Sequence, residues 1–130
     1  MSSRILIVDD NPVNLKLAAD VLESAGFAIE RAVDAEQAQQ VLGGTVPDLI
    51  LMDIALPGMD GLTLTRKLKA DPRFATVPIV ALTASAMKGD DRKALEAGCS
   101  GYITKPLDTR KLAQQLQTIL ASGQDSRCEP

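Results

Sequence analysis

The sequence predicts an α/β fold: one doubly wound sheet of five parallel strands with helices on both of its faces. Short apolar runs alternate with amphipathic helical segments along the chain, which gives five βα units without repeats. The third run, Leu49–Met52, is apolar at consecutive positions, which is typical of a strand that is covered on both faces. Right-handed crossovers with helices on both faces of such a sheet give an open doubly wound fold.

The first βα unit has clear signals for a helix. Asn11 is a favourable N-cap residue, Pro12 suits the first helical position, and Gly26 is expected to end the helix. A second strand is expected over residues 27–32. The predicted apolar face of the first helix consists of Val13, Leu17, Ala18, Val21, Leu22 and Ala25.

The later helices are predicted in the same way. Asp34 and Gln37 resemble a capping box at the start of the second helix. The third helix follows a loop over residues 57–61, a charged helix is expected over residues 88–97, and Asp108 is the expected N-cap of the last helix. The predicted inward residues are Ala35, Ala38, Val41 and Leu42 in the second helix, Leu64 and Leu68 in the third, and Leu112, Leu116, Ile119 and Leu120 in the last.

Composition narrows the class of protein. The 130 residues suffice for one domain, expected over residues 1–121 with a polar tail over residues 122–130. A formal charge of −3 without a basic stripe, and only two phenylalanines and one tyrosine, argue against nucleic-acid binding. The sequence shows neither a run of about 20 apolar residues nor a signal-peptide core. The two cysteines lack metal or redox spacing, so we expect reduced thiols in the cytoplasm.

Two sequence absences exclude whole classes of chemistry. The chain contains no histidine, which removes Ser/His/Asp hydrolysis, Cys/His proteolysis and most zinc sites. It also contains no GxxxxGK[ST] loop and no GxGxxG turn, so no nucleotide site is predicted. A phosphoryl group handled by this chain must therefore come from another molecule.

Four of the five predicted strands end at polar residues that can handle such a group. Because the carboxyl ends of parallel strands lie at one edge of a sheet, these residues are expected to meet in one crevice. Each of them alone would be an ordinary loop acid, helix cap or surface lysine, and it is their joint occurrence that predicts a site. They are Asp9 and Asp10 after the first strand, Asp53 after the third, Thr83 after the fourth, and Lys105 after the fifth.

The chemistry of these side chains favours a metal-assisted phosphoryl acceptor. Three converging carboxylates repel one another, and Mg²⁺, which prefers oxygen ligands, would relieve that repulsion. We expect Asp10 and Asp53 to be direct ligands and Asp9 to act through water. An ionised carboxylate can also attack phosphorus to form an acyl phosphate, and Asp53 is the best-placed nucleophile because it lies on the strand between Asp9 and Asp10 on one side and the Thr83 hydroxyl on the other. The Thr83 hydroxyl and the Lys105 ammonium can then stabilise the phosphoryl oxygens.

At these motifs the chain resembles the receiver domain of two-component response regulators. The resemblance spans residues 4–120 and implies a flavodoxin-like sheet of strand order 2-1-3-4-5. It also implies a protein that is no enzyme beyond its own phosphorylation and dephosphorylation. The motifs are Val8-Asp9-Asp10-Asn11, Asp53 followed by Leu56-Pro57-Gly58-Met59-Asp60-Gly61, Leu82-Thr83-Ala84, and Tyr102-Ile103-Thr104-Lys105-Pro106.

The resemblance further implies individual roles. Asp53 would take its phosphoryl group from a phosphohistidine of a sensor kinase or a histidine phosphotransfer protein. The backbone carbonyl of Ala55 would be a third protein ligand to Mg²⁺, and the bond before Pro106 would be cis. Thr83 and Tyr102 would report phosphorylation to a protein partner that docks on the face formed by the fourth predicted helix, the fifth strand and the last helix. Without an effector domain in the sequence, the chain is expected to act as a stand-alone switch.

Two alternatives from other classes stay open. One is a phosphatase with an aspartate nucleophile on a similar sheet, although Ala55 stands where such an enzyme usually has its second acid. The other is a carrier of flavin mononucleotide. For that function the crevice is acidic, which would repel the cofactor phosphate, and aromatic residues to stack on the flavin are scarce.

Overall fold

The computed structural model describes residues 3–44, 46–53, 61–83, 101–104 and 111–126 of the chain. Strands and helices alternate through the first four strands, as the sequence predicts. The elements are β1 (Arg4–Val8), α1 (Pro12–Ser24), β2 (Ala28–Ala32), α2 (Ala35–Gly44), β3 (Leu49–Asp53), α3 (Gly61–Lys69), β4 (Ile79–Thr83), β5 (Gly101–Thr104) and a C-terminal helix (Leu112–Ser126).

The five strands form one sheet in the order β2-β1-β3-β4-β5, and every neighbouring pair is parallel. The predicted fold class and strand order are therefore confirmed. Val8 at the end of β1 pairs with Ala32 of β2 and with Met52 of β3, while Asp53 pairs with Leu82 of β4. The strands consequently end nearly level with one another, at one edge of the sheet.

Side chains of alternate residues in the central strands pack into two separate hydrophobic cores, one on each face of the sheet. Leu49 and Leu51 of β3 point to the face covered by α1 and the C-terminal helix, whereas Ile50 and Met52 point to the face covered by α2 and α3. All five residues of β3 are buried, which confirms the prediction of a strand covered on both sides. Burial on both faces fixes the register of β3 and hence the position of its last residue, Asp53.

The predicted inward faces are confirmed for α2 and α3 and need correction for α1. In α1 the buried residues are Leu15, Ala18, Ala19 and Leu22, so only part of the predicted face was right. Val13 is 72 % exposed and Leu17 is 40 % exposed. The helix carries two adjacent apolar rows, and the row with the alanine pair faces the sheet because small side chains let the helix backbone approach it closely.

Polar contacts fix the connection between α3 and β4. The Lys69 ammonium donates to the carbonyl of Val77 at 2.6 Å and to that of Ala75 at 3.3 Å. One carboxylate oxygen of Asp71 accepts from the backbone N–H of Arg73 at 2.9 Å, and the Arg73 guanidinium lies 4.7 Å from the centre of the buried Phe74 ring. These contacts hold the chain where it enters β4.

The C-terminal helix is longer than expected. Leu112 and Leu116 are buried, and Ile119 and Leu120 pack against the same core, as predicted. The helical backbone continues through Ser126, into the segment that the sequence predicted to be a polar tail. The predicted helix over residues 88–97 and the cap at Asp108 lie outside the described residues. Among the helices that are described, none is long and apolar enough to cross a membrane.

Candidate metal centre

Asp9 is held in place by two backbone hydrogen bonds immediately after β1. Its N–H donates to the carbonyl of Ala32 at 3.0 Å, which extends the β1–β2 pairing by one residue. Its Oδ1 accepts from the N–H of Asn11 at 2.9 Å. The residue is 1 % exposed. Both the backbone and the carboxylate of Asp9 are therefore oriented by neighbouring peptide groups rather than by solvent.

Asn11 turns the chain from the sheet edge into α1. Its side-chain oxygen accepts from the N–H of Val13 at 2.9 Å and from that of Asn14 at 3.2 Å, so it is the N-cap that the sequence predicted. Its backbone is extended, with φ −90° and ψ 112°, which is the conformation favoured for a residue before a proline such as Pro12. The exposed Asp10 lies between the buried Asp9 and this cap.

Asp53 is the last residue of β3, at the centre of the sheet. It is 3 % exposed, although it is an acid at a strand end. Its neighbours along β3 are buried in both cores, so the strand cannot slide to move Asp53 toward solvent. The fold thus delivers a carboxylate to the middle of the carboxyl edge of the sheet.

The three aspartates converge as the sequence predicts. One carboxylate oxygen from each of Asp9, Asp10 and Asp53 lies within 4.8 Å of the other two. Ionised carboxylates this close repel one another, and a cation between them relieves the repulsion. The donor set consists of hard oxygen atoms, two of the residues are buried, and the exposed Asp10 leaves an open side. These properties fit Mg²⁺, which binds through one or two carboxylates and keeps several waters.

The other predicted site residues are only partly within the described structure. Thr83 ends β4 and pairs with Thr104, and Tyr102 of β5 pairs with Ala81. This places the backbone of Thr83 at the same edge as Asp53, one strand away. The side chains of Thr83 and Tyr102 lie outside the described part of the structure, as do Ala55, Lys105 and Pro106. Their roles stay predictions.

Two groups near the acids were not anticipated from the sequence. They are the Asn11 N–H, which donates to the Asp9 side chain, and the Ala32 carbonyl, which accepts from the Asp9 N–H. Both are backbone groups, so the residue type does not indicate them. A capping residue two positions after a strand-end acid was the available clue, because Asp side chains often accept from the N–H two residues on.

Comparison with known proteins gives one consistent family. The sequence profile described as "Response regulator receiver domain" matches residues 5–117. The polar-differentiation response regulator DivK of Brucella ovis is 38 % identical over 123 residues, which cover 95 % of this chain and 100 % of DivK. The match therefore extends over nearly the whole length of both proteins.

Solved structures show the same likeness in three dimensions. A two-component response regulator from Clostridium difficile superposes with a TM-score of 0.86 at 31 % identity, covering 92 % of this chain and 97 % of that one. The receiver domain of a sensor histidine kinase from Pseudomonas aeruginosa gives a TM-score of 0.85 at 38 % identity, covering 94 % and 100 %. That second protein has a magnesium ion coordinated in its active-site cleft.

Proposed function

The chain belongs to the response regulator receiver family, and from this premise we propose that it accepts a phosphoryl group on Asp53 with the help of Mg²⁺ and thereby switches its affinity for another protein. The observation that carries the proposal is the convergence of Asp9, Asp10 and Asp53 within 4.8 Å at the carboxyl edge of the sheet. Of these three aspartates, Asp53 is the one on the central strand β3, which lies between β1, followed by Asp9 and Asp10, and β4.

The phosphoryl group would come from another molecule, because this chain contains no histidine that could donate it. A phosphohistidine of a sensor kinase or of a histidine phosphotransfer protein fits. A carboxylate oxygen of Asp53 forms a bond to phosphorus while the phosphorus–nitrogen bond of the donor breaks. The electron pair of that bond stays with the donor's imidazole, which is already protonated on its other nitrogen and therefore leaves as a neutral ring. The product on this chain is an acyl phosphate.

The other residues of the site would bind Mg²⁺ or the phosphoryl oxygens. Asp10 and Asp53 would hold Mg²⁺ directly, Asp9 would hold it through water, and the backbone carbonyl of Ala55 would complete the protein ligands. When bound, the ion supplies positive charge that offsets repulsion between the carboxylates and the incoming phosphoryl oxygens. Lys105 and the Thr83 hydroxyl would bind the other phosphoryl oxygens, which is the main way that proteins catalyse this transfer.

The output would pass through β4 and β5. These strands are neighbours, and Ala81 pairs with Tyr102 two residues before Thr83 pairs with Thr104. A movement of the Thr83 side chain toward the phosphoryl group would therefore change the packing around Tyr102, one strand away. The partner surface would be the face formed by the helix predicted over residues 88–97, β5 and the C-terminal helix.

Phosphorylation of the intact protein by a small acyl phosphate tests the proposal. With Mg²⁺ present, intact-mass spectra should show one added phosphoryl group on the wild type and none on Asp53→Asn, which keeps the shape but removes the nucleophile. Asp20→Asn is a matched control, because Asp20 is an exposed acid that pairs with Lys16 on α1. Equal labelling of wild type and Asp53→Asn would refute the assignment. Sustained turnover of phosphate monoesters would instead favour the phosphatase alternative.

A further inference from the structure

A short series of hydrogen bonds connects the first turn of α1 to the metal centre. The Asn11 side-chain oxygen accepts from the N–H groups of Val13 and Asn14, and the N–H of the same Asn11 donates to Oδ1 of Asp9. The Asn11 carbonyl also accepts the first helical bond, from Leu15 at 2.9 Å. Asn11 therefore caps the start of α1 with its side chain and orients the buried Asp9 carboxylate with its backbone N–H.

The start of α2 shows that helix capping alone does not require this arrangement. There Asp34 accepts from the N–H of Gln37 at 2.8 Å, and the Gln37 side-chain oxygen accepts from the N–H of Val33 at 3.0 Å. That cap joins backbone groups of its own helix and loop and reaches none of the three clustered aspartates in these contacts. At α1, by contrast, the cap and the hydrogen bond to Asp9 are both made by the same residue, Asn11.

We propose that Asn11 is a positioning residue for the metal centre. Its side-chain cap fixes the peptide whose N–H binds Asp9, and this keeps the Asp9 carboxylate turned toward Asp10 and Asp53. The inference rests on the proposed function, in which these acids bind Mg²⁺, and it adds a residue that does not touch the ion. Pro12 supports the same conformation by holding Asn11 in extended backbone.

The physical need for such a residue follows from the charges. Asp9 faces two other carboxylates, so without a restraint its own carboxylate would rotate away from them when the ion is absent. A backbone N–H on a carboxylate is a charge-assisted hydrogen bond, which is stronger than a neutral one. Loss of a residue that orients a direct metal ligand typically changes metal affinity by about 10- to 100-fold, and because Asp9 would act through water, we expect the lower end of that range for Asn11.

The test compares Mg²⁺ binding, measured by calorimetric titration of the intact protein, across four proteins. Asn11→Ala, which removes the cap, should weaken Mg²⁺ binding by about tenfold. Asn11→Ser, which restores a capping oxygen without adding charge, should return the affinity to within about twofold of the wild type. Gln37→Ala is the matched control, because it removes an uncharged side-chain bond at the start of α2 and should bind Mg²⁺ as the wild type does.

A second measurement reads the hydrogen bond itself. Amide exchange of the residue-11 N–H, followed by NMR, should be faster in Asn11→Ala than in the wild type and should slow again in Asn11→Ser. If Asn11→Ala does not fold, Asn11→Gly takes its place. Glycine lacks the side-chain amide that makes the cap but is tolerated at the N-cap position.

Each result decides between separate claims. Unchanged Mg²⁺ affinity in Asn11→Ala, or an equal loss in Gln37→Ala, overturns the positioning role and leaves the proposed function intact. Failure of the wild type to bind Mg²⁺ overturns the proposed function, and this inference falls with it. Loss in Asn11→Ala with recovery in Asn11→Ser supports the inference.

Discussion

Asp53 lies directly across from Leu82 in the register of β3 and β4, so Thr83 follows one residue beyond it at the same edge of the sheet. Leu82 is buried in the core beneath α1 and the C-terminal helix, which anchors the end of β4. The proposed phosphoryl acceptor and the proposed hydroxyl donor are thus carried on adjacent strands that cannot slide past each other. Rigid placement of this kind suits a reaction that depends on alignment.

Asp10→Asn should weaken the response of the protein to Mg²⁺. In the wild type, Mg²⁺ at about 100 times its dissociation constant should add about 2.7 kcal/mol to the free energy of unfolding, because the ion binds only the folded site. The variant loses an expected ligand and some carboxylate repulsion, so we expect a smaller response to Mg²⁺ and a metal-free stability at least equal to that of the wild type. Thermal unfolding at increasing Mg²⁺ measures both. Identical titration curves would show that Asp10 is not a ligand.

The corrected face of α1 gives a prediction about stability. Leu22 is fully buried and Leu17 is 40 % exposed, although both are leucines on the same helix. Leu22→Ala should lower the free energy of unfolding by about 2–5 kcal/mol through lost burial and a cavity. Leu17→Ala should change it by about 0.5 kcal/mol or less, since alanine also favours the helix. Urea unfolding compares the two, and similar losses in both variants would contradict the assigned face.

The Asp71–Arg73 turn predicts a pH-dependent contribution to stability. The Arg73 N–H, followed by its guanidinium at 3.3 Å, holds the pKa of Asp71 below its ordinary value of 3.8. A lowered folded-state pKa means that ionised Asp71 stabilises the fold above the unfolded-state pKa and that this contribution is lost as the pH falls through the folded-state pKa. Asp71→Asn should therefore cause a small decrease in melting temperature at pH 7 that disappears at a pH well below 3.8.

Arg73→Gln provides the control for that prediction. It removes the partner cation, so Asp71→Asn in that background should show a smaller difference between pH 7 and low pH. The Arg73 contact with Phe74 is present in both proteins of the wild-type pair and absent from both proteins of the Arg73→Gln pair, so it cancels within each comparison. A pH-dependent difference of the same size in both backgrounds would exclude the guanidinium as its source.

The sequence was sufficient for the elements whose signals are local and strong. The capped starts of α1 and α2 and the doubly buried β3 were predicted because N-caps and apolar runs report directly on structure. The inward row of α1 was not, because Val13 and Leu17 are as apolar as the residues that the sheet buries, and only packing chooses between adjacent rows. The last helix extends into the predicted polar tail, since Gly123 weakens a helix without ending it.

The candidate site likewise has features that the sequence predicts and features that it does not. The convergence of Asp9, Asp10 and Asp53 could be predicted, because topology brings the ends of parallel strands together whatever the details of their side chains. The bond from the Asn11 N–H to Asp9 could not, because it depends on the backbone angles of one loop residue. Residue types identify the ligands of such a site more readily than the peptide groups that orient them.

Tyr102 offers a direct readout of the proposed switch. It is the only tyrosine in a chain without tryptophan, so intrinsic fluorescence excited at tyrosine wavelengths reports on this residue alone. Phosphorylation of the wild type should change that fluorescence, because Thr83 would move toward the new phosphoryl oxygens and the neighbouring strand would repack around Tyr102. A two-state element of this kind is what carries a local chemical change to a distant surface.

Thr83→Ala should separate phosphorylation from this response. The variant keeps Asp53 and the metal acids, so it should still accept a phosphoryl group from a small acyl phosphate, at a lower rate because one donor to the phosphoryl oxygens is missing. Its tyrosine fluorescence should stay unchanged on phosphorylation. Thr83→Ser restores the hydroxyl and should recover the change. If phosphorylated Thr83→Ala shows the full fluorescence change of the wild type, Thr83 does not couple Asp53 to Tyr102, and the signal must leave the site by another route.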